Sequence, residues 1–272
     1  MKLAISNIAW KSVDDAAVAA MMRASGVSGV EIAPSAVWPD PLRATPADLN
    51  ACRALWSAQG IEIVALQALL FGHPELTLFG APAPRLEMLD YLTGMMDIAQ
   101  ALGAGPLVFG SPRNRSVGVG SALSRDRARH IAIDFFREAG TRAAARGVSL
   151  CVEPNPPAYD CDFINTVAEA LALVRDVDSP GFGLHLDAGA LALNAEPVAA
   201  TVASAAGAIR HVHASEPFLV PLGSGETDHE AFSAALRAIA YDGWVSLEMR
   251  VPPDGLDGVR RALALLGERY GA

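Results

Sequence analysis

Eight short β-rich runs alternate with Ala-rich stretches of helical pattern along the chain, and this alternation limits the possible folds more than any other feature. It favours a parallel sheet whose strands are joined by crossover helices. The runs predicted as strands are KLAIS, GVEIA, IEIVALQ, PLVFG, VSLCVE, GFGLHLD, IRHVH and WVSLEM; helices predicted between them include 14–24, 46–59, 85–102, 125–146, 167–174 and 229–240.

Two architectures fit such a sheet, a closed (β/α)₈ barrel and an open doubly wound sheet. The open sheet typically carries a glycine-rich phosphate loop after an early strand. Here the first strand runs into Asn7 and Ile8, and neither GxGxxG nor GxxxxGK[ST] occurs. The length of 272 residues is also close to the roughly 250 typical of the barrel. Because no linker or low-complexity tract interrupts the pattern, we predict an α/β protein with one TIM-barrel domain over residues 1–272.

Composition narrows the class of function. Hydrophobic residues make up 51% of the chain, which excludes a disordered or fibrous protein. A formal net charge of −9 argues against a nucleic-acid partner, because phosphate binding needs a basic face. We expect no signal peptide and no membrane span. Cys52, Cys151 and Cys161 lack CxxC spacing and are expected to be reduced thiols of a cytoplasmic protein, with a homo-oligomer left open.

Four ionisable residues stand at the ends of the last four predicted strands: Glu153 in CVEPNP, Asp187 in HLDAG, His213 in HVHAS and Glu248 in SLEMR. In a barrel of this kind, the carboxyl ends of the strands carry the chemistry. Taken singly, Glu153 could pair with an arginine and His213 could be an ordinary core histidine. Together, such groups are costly to bury unless something positive lies between them. The pattern therefore predicts a metal site.

The ligand chemistry suggests which metal. Three carboxylates and one imidazole form a hard, oxygen-rich set that suits Mn²⁺, Mg²⁺ or Co²⁺ better than a metal selected by thiolates, with Zn²⁺ as a further alternative. One divalent ion there can polarise a carbonyl or a pair of hydroxyls. Glu153 and Glu248 on either side of it are then available as proton acceptor and donor. We therefore predict that both glutamates are catalytic residues as well as ligands.

Polar residues near the same rim are candidates for contact with a small-molecule substrate. Side chains two residues apart share a face of a strand, so His185 and His211 should lie in a layer below Asp187 and His213 and either support them or reach the substrate. Glu31 could face the pocket or anchor a loop. Arg113, in preference to Arg115, could bind a phosphate or carboxylate group of the substrate. The predicted substrate contacts are Glu31, Gln67, His73, Arg113, His185, His211, Glu216 and Arg250.

Loops after the strands supply two further expectations. Trp10, Trp38 and Phe71 follow the first three strands, where aromatic side chains either stack on a sugar ring or pack over the barrel mouth. The segment 221–229 resembles a loop and a helix start, and it could act as a lid.

At the four strand-end residues the sequence resembles the xylose-isomerase-like TIM-barrel superfamily, the sugar phosphate isomerases and epimerases. The resemblance runs from the first strand to SLEM and is most specific at Glu153, Asp187, His213 and Glu248. Ketose 3-epimerases of this superfamily bind Mn²⁺ or a similar ion with this set, and their two glutamates exchange protons with opposite faces of a sugar carbon. The resemblance implies a metal-dependent isomerase or epimerase of a carbohydrate.

The chain also departs from the ketose 3-epimerases. Those enzymes carry a histidine three residues after the metal aspartate, where this chain has Ala190. They carry an arginine soon after the metal histidine, where this chain reads ASEPFL, and the stretch PNPPAY after Glu153 also differs. These groups hold the carbonyl end of the substrate. A dehydratase or other lyase of a keto-sugar or keto-inositol is therefore an alternative, as is a non-catalytic ligand-binding barrel. DNA-repair endonucleases of the superfamily need further zinc ligands and a basic groove, which the sequence lacks.

Overall fold

Eight parallel strands close into one barrel, in which each strand pairs with its neighbours in chain order and β8 pairs with β1. This computed structural model describes residues 1–118 and 120–271. The predicted (β/α)₈ architecture is confirmed. Every predicted strand run matches a strand of the barrel, although β7 continues two residues beyond the predicted end at His213, to Ser215. The strands are β1 Lys2–Ser6, β2 Gly29–Ile32, β3 Glu62–Leu66, β4 Pro106–Phe109, β5 Ser149–Val152, β6 Phe182–Asp187, β7 Ile209–Ser215 and β8 Trp244–Glu248.

Helices follow the strands and form the outer layer, and several begin at signals that the sequence shows. Thr45 and Thr166 each accept a hydrogen bond from the backbone three residues on, and an acidic side chain at that position bonds back, which completes a capping box. The helices are α1 Asp15–Ala24, α2 Pro34–Val37, α3 Pro46–Ser57, α4 Pro82–Leu102, α5 Arg125–Ala144, α6 Val167–Val177, α7 Ala188–Leu193, α8 Val198–Ala205, α9 His229–Ala238 and α10 Leu256–Tyr270.

The connection between β6 and β7 contains two helices, α7 and α8, which our predicted helices did not include. The segment AGALALNAEPVAA is apolar at nearly every position, so its polar residues show no clear helical period. Asp187 supplies the local cause of α7, because its Oδ1 accepts a hydrogen bond of 2.6 Å from the amide of Ala190. The last residue of β6 is therefore also the cap of the next helix.

The apolar core lies between the barrel and its helices. Phe136 of α5 packs against Phe109 of β4 at a ring distance of 5.3 Å and against Phe182 of β6 at 4.8 Å. The inside of the barrel near its carboxyl end is polar instead, since Ser6, Glu31 and Ser246 are fully buried there with three histidines of β6 and β7. In the described ranges, no helix is both long and apolar enough to cross a bilayer.

Candidate active site

The four predicted metal ligands meet at the carboxyl end of the barrel. Candidate ligand atoms of Glu153, Asp187 and His213, together with one of His185, all lie within 4.8 Å of one another. Glu248 Oε2 lies 3.2 Å from His213 Nδ1, and Asp187 Oδ2 lies 3.8 Å from the same nitrogen. The strand register explains this arrangement, because it pairs Asp187 with His213 across β6 and β7.

His213 is held by a carboxylate on the opposite side of the barrel. Its Nε2 lies 2.8 Å from Glu31 Oε2, and both side chains are almost completely buried. Its Nδ1, which faces Asp187 and Glu248, has no hydrogen-bond partner among the described residues. A histidine that binds a metal typically donates its other ring N–H to a carboxylate. The unpaired Nδ1 beside two carboxylates therefore fits a divalent cation.

The crowding of three carboxylates also favours a cation at this position. Burial, followed by the charges of Asp187 and Glu248, raises the pKa of Glu153 to about 8. Burial and the charge of Glu248 raise the pKa of Asp187 to about 6. Burial alone would lower the pKa of His213, but Glu31 and Glu248 hold it well above its ordinary value. A cation at this position would relieve the repulsion between the carboxylates.

Neighbouring residues constrain two of the carboxylates. Asp187 Oδ2 accepts a hydrogen bond of 2.6 Å from Ser215 Oγ while Oδ1 caps α7, so both oxygens are oriented. Glu153 directly follows β5 and passes close to the end of β4. A Cβ on Gly110 would overlap with Glu153 Oε2, so a larger residue there would displace this carboxylate. Neither contact was foreseen, because each depends on a neighbouring strand.

The two arginines after β4 have opposite environments, and neither lines the cavity above the ligands. Arg113, the predicted substrate contact, is 85% exposed and lies 3.9 Å from Asp160. Arg115 is fully buried, and burial lowers its pKa. Its guanidinium donates to the carbonyl oxygens of Gly110, Glu153 and Phe163 at 2.8, 2.6 and 2.7 Å. The preference for Arg113 missed this structural role of Arg115, which joins the loops after β4 and β5.

A cavity of about 470 Å³ opens above the ligands. Glu153, Asp187 and Glu248 form part of its wall, and the predicted contacts Gln67 and Arg250 also line it. Gln67 is fixed by a hydrogen bond to Ser6 Oγ. His73 and Arg113 line an adjoining groove instead, so they lie outside the cavity itself. Cavity residues that the sequence did not single out include Ser111, Asn155, Tyr159, Phe218 and Leu219.

Three predicted substrate contacts lie too deep to reach this cavity. Glu31, His185 and His211 have no exposed surface and occupy the layer below the ligands. The His185 ring packs edge-on to His213 at 4.1 Å, and His211 Nε2 lies 3.4 Å from Glu31 Oε2. The prediction of substrate contact is corrected for all three, because the barrel walls enclose them. Support of the ligands, the other predicted role of the two histidines, agrees with this position.

Glu216 is also not a cavity residue. Its carboxylate accepts hydrogen bonds from the amides of Gly223 and Thr227, at 2.9 and 3.1 Å, and lies 3.2 Å from His229 Nε2. It therefore anchors the segment 221–229, which was predicted as a lid, to the start of α9.

Of the three aromatic residues considered for sugar stacking, only Phe71 lines the cavity. Trp10 is buried, and its indole N–H donates to Asp15 at 2.7 Å. Trp38 lines a separate surface pocket with Trp56. Trp10 and Trp38 are therefore packing residues outside the site.

Comparisons with known proteins agree with this fold. An L-ribulose 3-epimerase of Methylomonas sp. (strain DH-1) is 30% identical over 129 residues, which are 47% of this chain and 44% of that protein. The matched stretches span less than half the length of the curated relatives.

Two solved structures share the fold across nearly both chains. A D-psicose 3-epimerase crystallised in the presence of D-fructose superposes with a TM-score of 0.84 and 17% identity, covering 100% of each chain. A 3-keto-D-glucoside 4-epimerase from E. coli superposes with a TM-score of 0.81 and 20% identity, covering 98% of this chain and 99% of that one. The family model "Xylose isomerase-like TIM barrel" matches residues 19–269. The chain belongs to the xylose isomerase-like TIM barrel family.

Proposed function

We propose that this protein is a divalent-metal-dependent epimerase or isomerase of a keto-sugar or a sugar derivative. One observation carries the proposal: two glutamates, Glu153 and Glu248, border the same cavity wall as Asp187, with the unpaired Nδ1 of His213 beside them. A pure binding site for a neutral sugar has no need of two proton-transfer carboxylates next to a metal site.

In this proposal Glu153, Asp187, Glu248 and His213 Nδ1 hold one ion, and Mn²⁺ suits their hard donor set. When bound, the ion would polarise the substrate carbonyl and lower the cost of removing a proton from the adjacent carbon. Glu31 keeps the His213 ring oriented through its hydrogen bond of 2.8 Å. Ser215 does the same for Asp187 through a bond of 2.6 Å.

The two glutamates then move the protons. One carboxylate accepts a proton from the carbon beside the carbonyl, and the other, in its protonated form, returns a proton to the opposite face. The reaction is balanced, since one proton leaves and one arrives with no change in oxidation state. A buried carboxyl group with a raised pKa suits this task, because proton transfer is most efficient when the pKa is near the working pH. Burial, followed by the charges of Asp187 and Glu248, raises the pKa of Glu153 to about 8.

The relatives support the reaction class and leave the substrate open. The curated relatives are ketose and L-ribulose 3-epimerases, while one structural neighbour is an epimerase of a 3-keto-D-glucoside. Ala190 and the segment after His213 lack the groups that the resemblance assigns to the carbonyl end of a ketose. We therefore propose a carbohydrate substrate that differs from a simple free ketose. A homo-oligomer and a cytoplasmic location stay predictions.

The experiment is a substrate screen in D₂O with added Mn²⁺. Free and phosphorylated ketoses, keto-glucosides and keto-inositols are incubated with the protein and analysed by mass spectrometry. Deuterium in recovered sugar without loss of mass supports the epimerase or isomerase. A product lighter by one water identifies a dehydratase instead. If no compound exchanges and metal analysis finds no ion retained after Mn²⁺ addition, the proposed function is wrong.

A further inference from the structure

The outer wall of the cavity differs in chemistry from its floor. The carboxylates lie at the floor, whereas Phe71, Tyr159 and Phe218 line the wall nearer to solvent. Phe71 is 74% exposed and Phe218 is 51% exposed, so these rings are costly to leave in water. Among the described lining residues Arg250 is the one cation, and it makes no ion pair there. A largely apolar wall therefore continues from a charged floor.

The aromatic wall is held in place by defined contacts. Tyr159 Oη accepts a hydrogen bond of 2.8 Å from the amide of Phe218, and the two rings pack edge-to-face at 5.5 Å. The carbonyl of Leu219 accepts a bond of 2.9 Å from the amide of Arg250, which ties this loop to the end of β8. Phe218 is thus fixed at its backbone while its ring stays open to the cavity.

The backbone around the cavity also carries an unusual conformation. Four non-glycine lining residues have a left-handed backbone: Ala68, Ser111, Phe218 and Leu219, with φ of 52°, 39°, 60° and 58°. Each costs about 1–2 kcal/mol, and such residues cluster where a fold presents a binding surface. At Phe218 this conformation accompanies the exposure of a large apolar ring at the cavity.

We propose that the outer part of the cavity is a second subsite, formed by Phe71, Tyr159 and Phe218, that binds an uncharged, apolar aglycone joined to the sugar. The inference rests on the proposed function for the reacting end, since the keto-sugar would occupy the metal floor. Rings on loops of β3, β5 and β7 offer apolar faces and edges to a flat group. A phosphate would instead require several convergent donors, and the described wall offers a single guanidinium.

The test measures binding and needs no turnover. Calorimetric titration of the Mn²⁺-loaded protein compares 4-nitrophenyl glucoside with methyl glucoside of the same anomeric configuration, and with glucose 6-phosphate. We expect the aryl glucoside to bind at least about tenfold more tightly than the methyl glucoside, as aromatic contacts of this kind provide. Phe218→Ala and Phe71→Ala should each weaken aryl glucoside binding more than methyl glucoside binding and so remove most of that difference.

Leu86→Ala is the matched control, because Leu86 is an equally exposed apolar residue (62%) on α4 outside the cavity. Equal binding of aryl and methyl glucosides overturns the subsite, and so does preferential binding of the phosphate that Arg250→Ala abolishes. Aryl binding that depends on Phe218 without any exchange in D₂O would keep the subsite and remove the proposed function. Exchange in D₂O without preferential binding of the aryl glucoside would keep the proposed function and overturn the subsite.

Discussion

The two halves of the barrel contribute differently to the site. Strands β5 to β8 supply all four proposed ligands, at or next to their carboxyl ends. The half from β1 to β4 supplies supporting groups: Glu31 behind His213, Gln67 in the cavity wall, and Arg115 beneath Glu153. In the proposed site, charged residues of the β5–β8 half would bind the ion and transfer protons, while Glu31 and Arg115 of the other half contact His213 and the backbone at Glu153.

The difference shows why similar residue types at similar strand ends have different roles. Glu31 and Glu153 both stand at or next to a strand end, but Glu31 is enclosed and paired with an imidazole, whereas Glu153 borders the cavity. Position along the strand determines the layer, and the layer determines whether a side chain can reach a substrate. Four experiments test this division of labour.

The largest effect is expected in the ligand half. Glu153→Gln and Glu248→Gln should each lower the kcat/KM of the exchange reaction about 10²- to 10⁴-fold, because an amide cannot accept or return the proton. Steady-state kinetics with the substrate from the D₂O screen measure this loss. Glu62→Gln is the control, since Glu62 is exposed at the start of β3, at the other end of the barrel. Either site variant that keeps near-normal turnover would contradict the proton-transfer roles.

In the supporting half, Arg115→Ala should destabilise the fold by at least about 3 kcal/mol, because it leaves several buried carbonyl oxygens without a donor. Denaturant unfolding gives the value. Arg113→Ala, two residues away on the surface, should change stability by less than about 0.5 kcal/mol. If Arg115→Ala does not fold, Arg115→Lys should lie between the two. Equal stability of the Arg113 and Arg115 variants would show that the buried guanidinium does not hold the loops.

Glu31→Gln tests whether the supporting half acts through the metal. Loss of the carboxylate behind His213 should weaken Mn²⁺ binding about 10- to 100-fold while the fold persists. Calorimetric or electron-paramagnetic titration of the metal-free protein measures the affinity. Glu75→Gln is a matched control, because Glu75 lies 2.9 Å from an exposed histidine, His73, outside the cavity. Unchanged affinity in Glu31→Gln would remove Glu31 from the proposed site.

Glu216 shows that the ligand half also contains a purely structural carboxylate. Burial raises its pKa, but hydrogen bonds from His229, Thr227 and Gly223 outweigh burial and lower the pKa to about 2. A lowered pKa means that the stabilisation is complete above the unfolded-state value near 4.5 and is lost as the pH falls toward 2. Glu216→Gln should therefore cost roughly 2 kcal/mol at pH 7 and little at pH 2.5. Urea unfolding at both values measures this, and a cost independent of pH would contradict it.

The sequence was sufficient to predict the barrel and the grouping of the four proposed ligands, because both depend on local patterns. Alternating strand and helix signals predicted all eight strands, and the end of each strand predicted where Glu153, Asp187 and Glu248 would lie. Glu31 was misassigned because its partner, His213, is 182 residues away. The different environments of Arg113 and Arg115 could not be predicted either, since both lie in one short 3₁₀ turn and two of the carbonyl acceptors of Arg115 come from the loop after β5.

Glu248, the last of the proposed ligands along the chain, belongs to β8, the last strand of the barrel. Glu248 lies at the end of β8, which pairs with β7 on one side and closes the ring against β1 on the other. During synthesis on the ribosome, a chain that has not yet produced β8 cannot assemble the complete set of donors. An ion bound by Glu248 together with Asp187 would link β8 to β6. Ion binding would therefore stabilise the closed barrel and slow the separation of β8 from its neighbours.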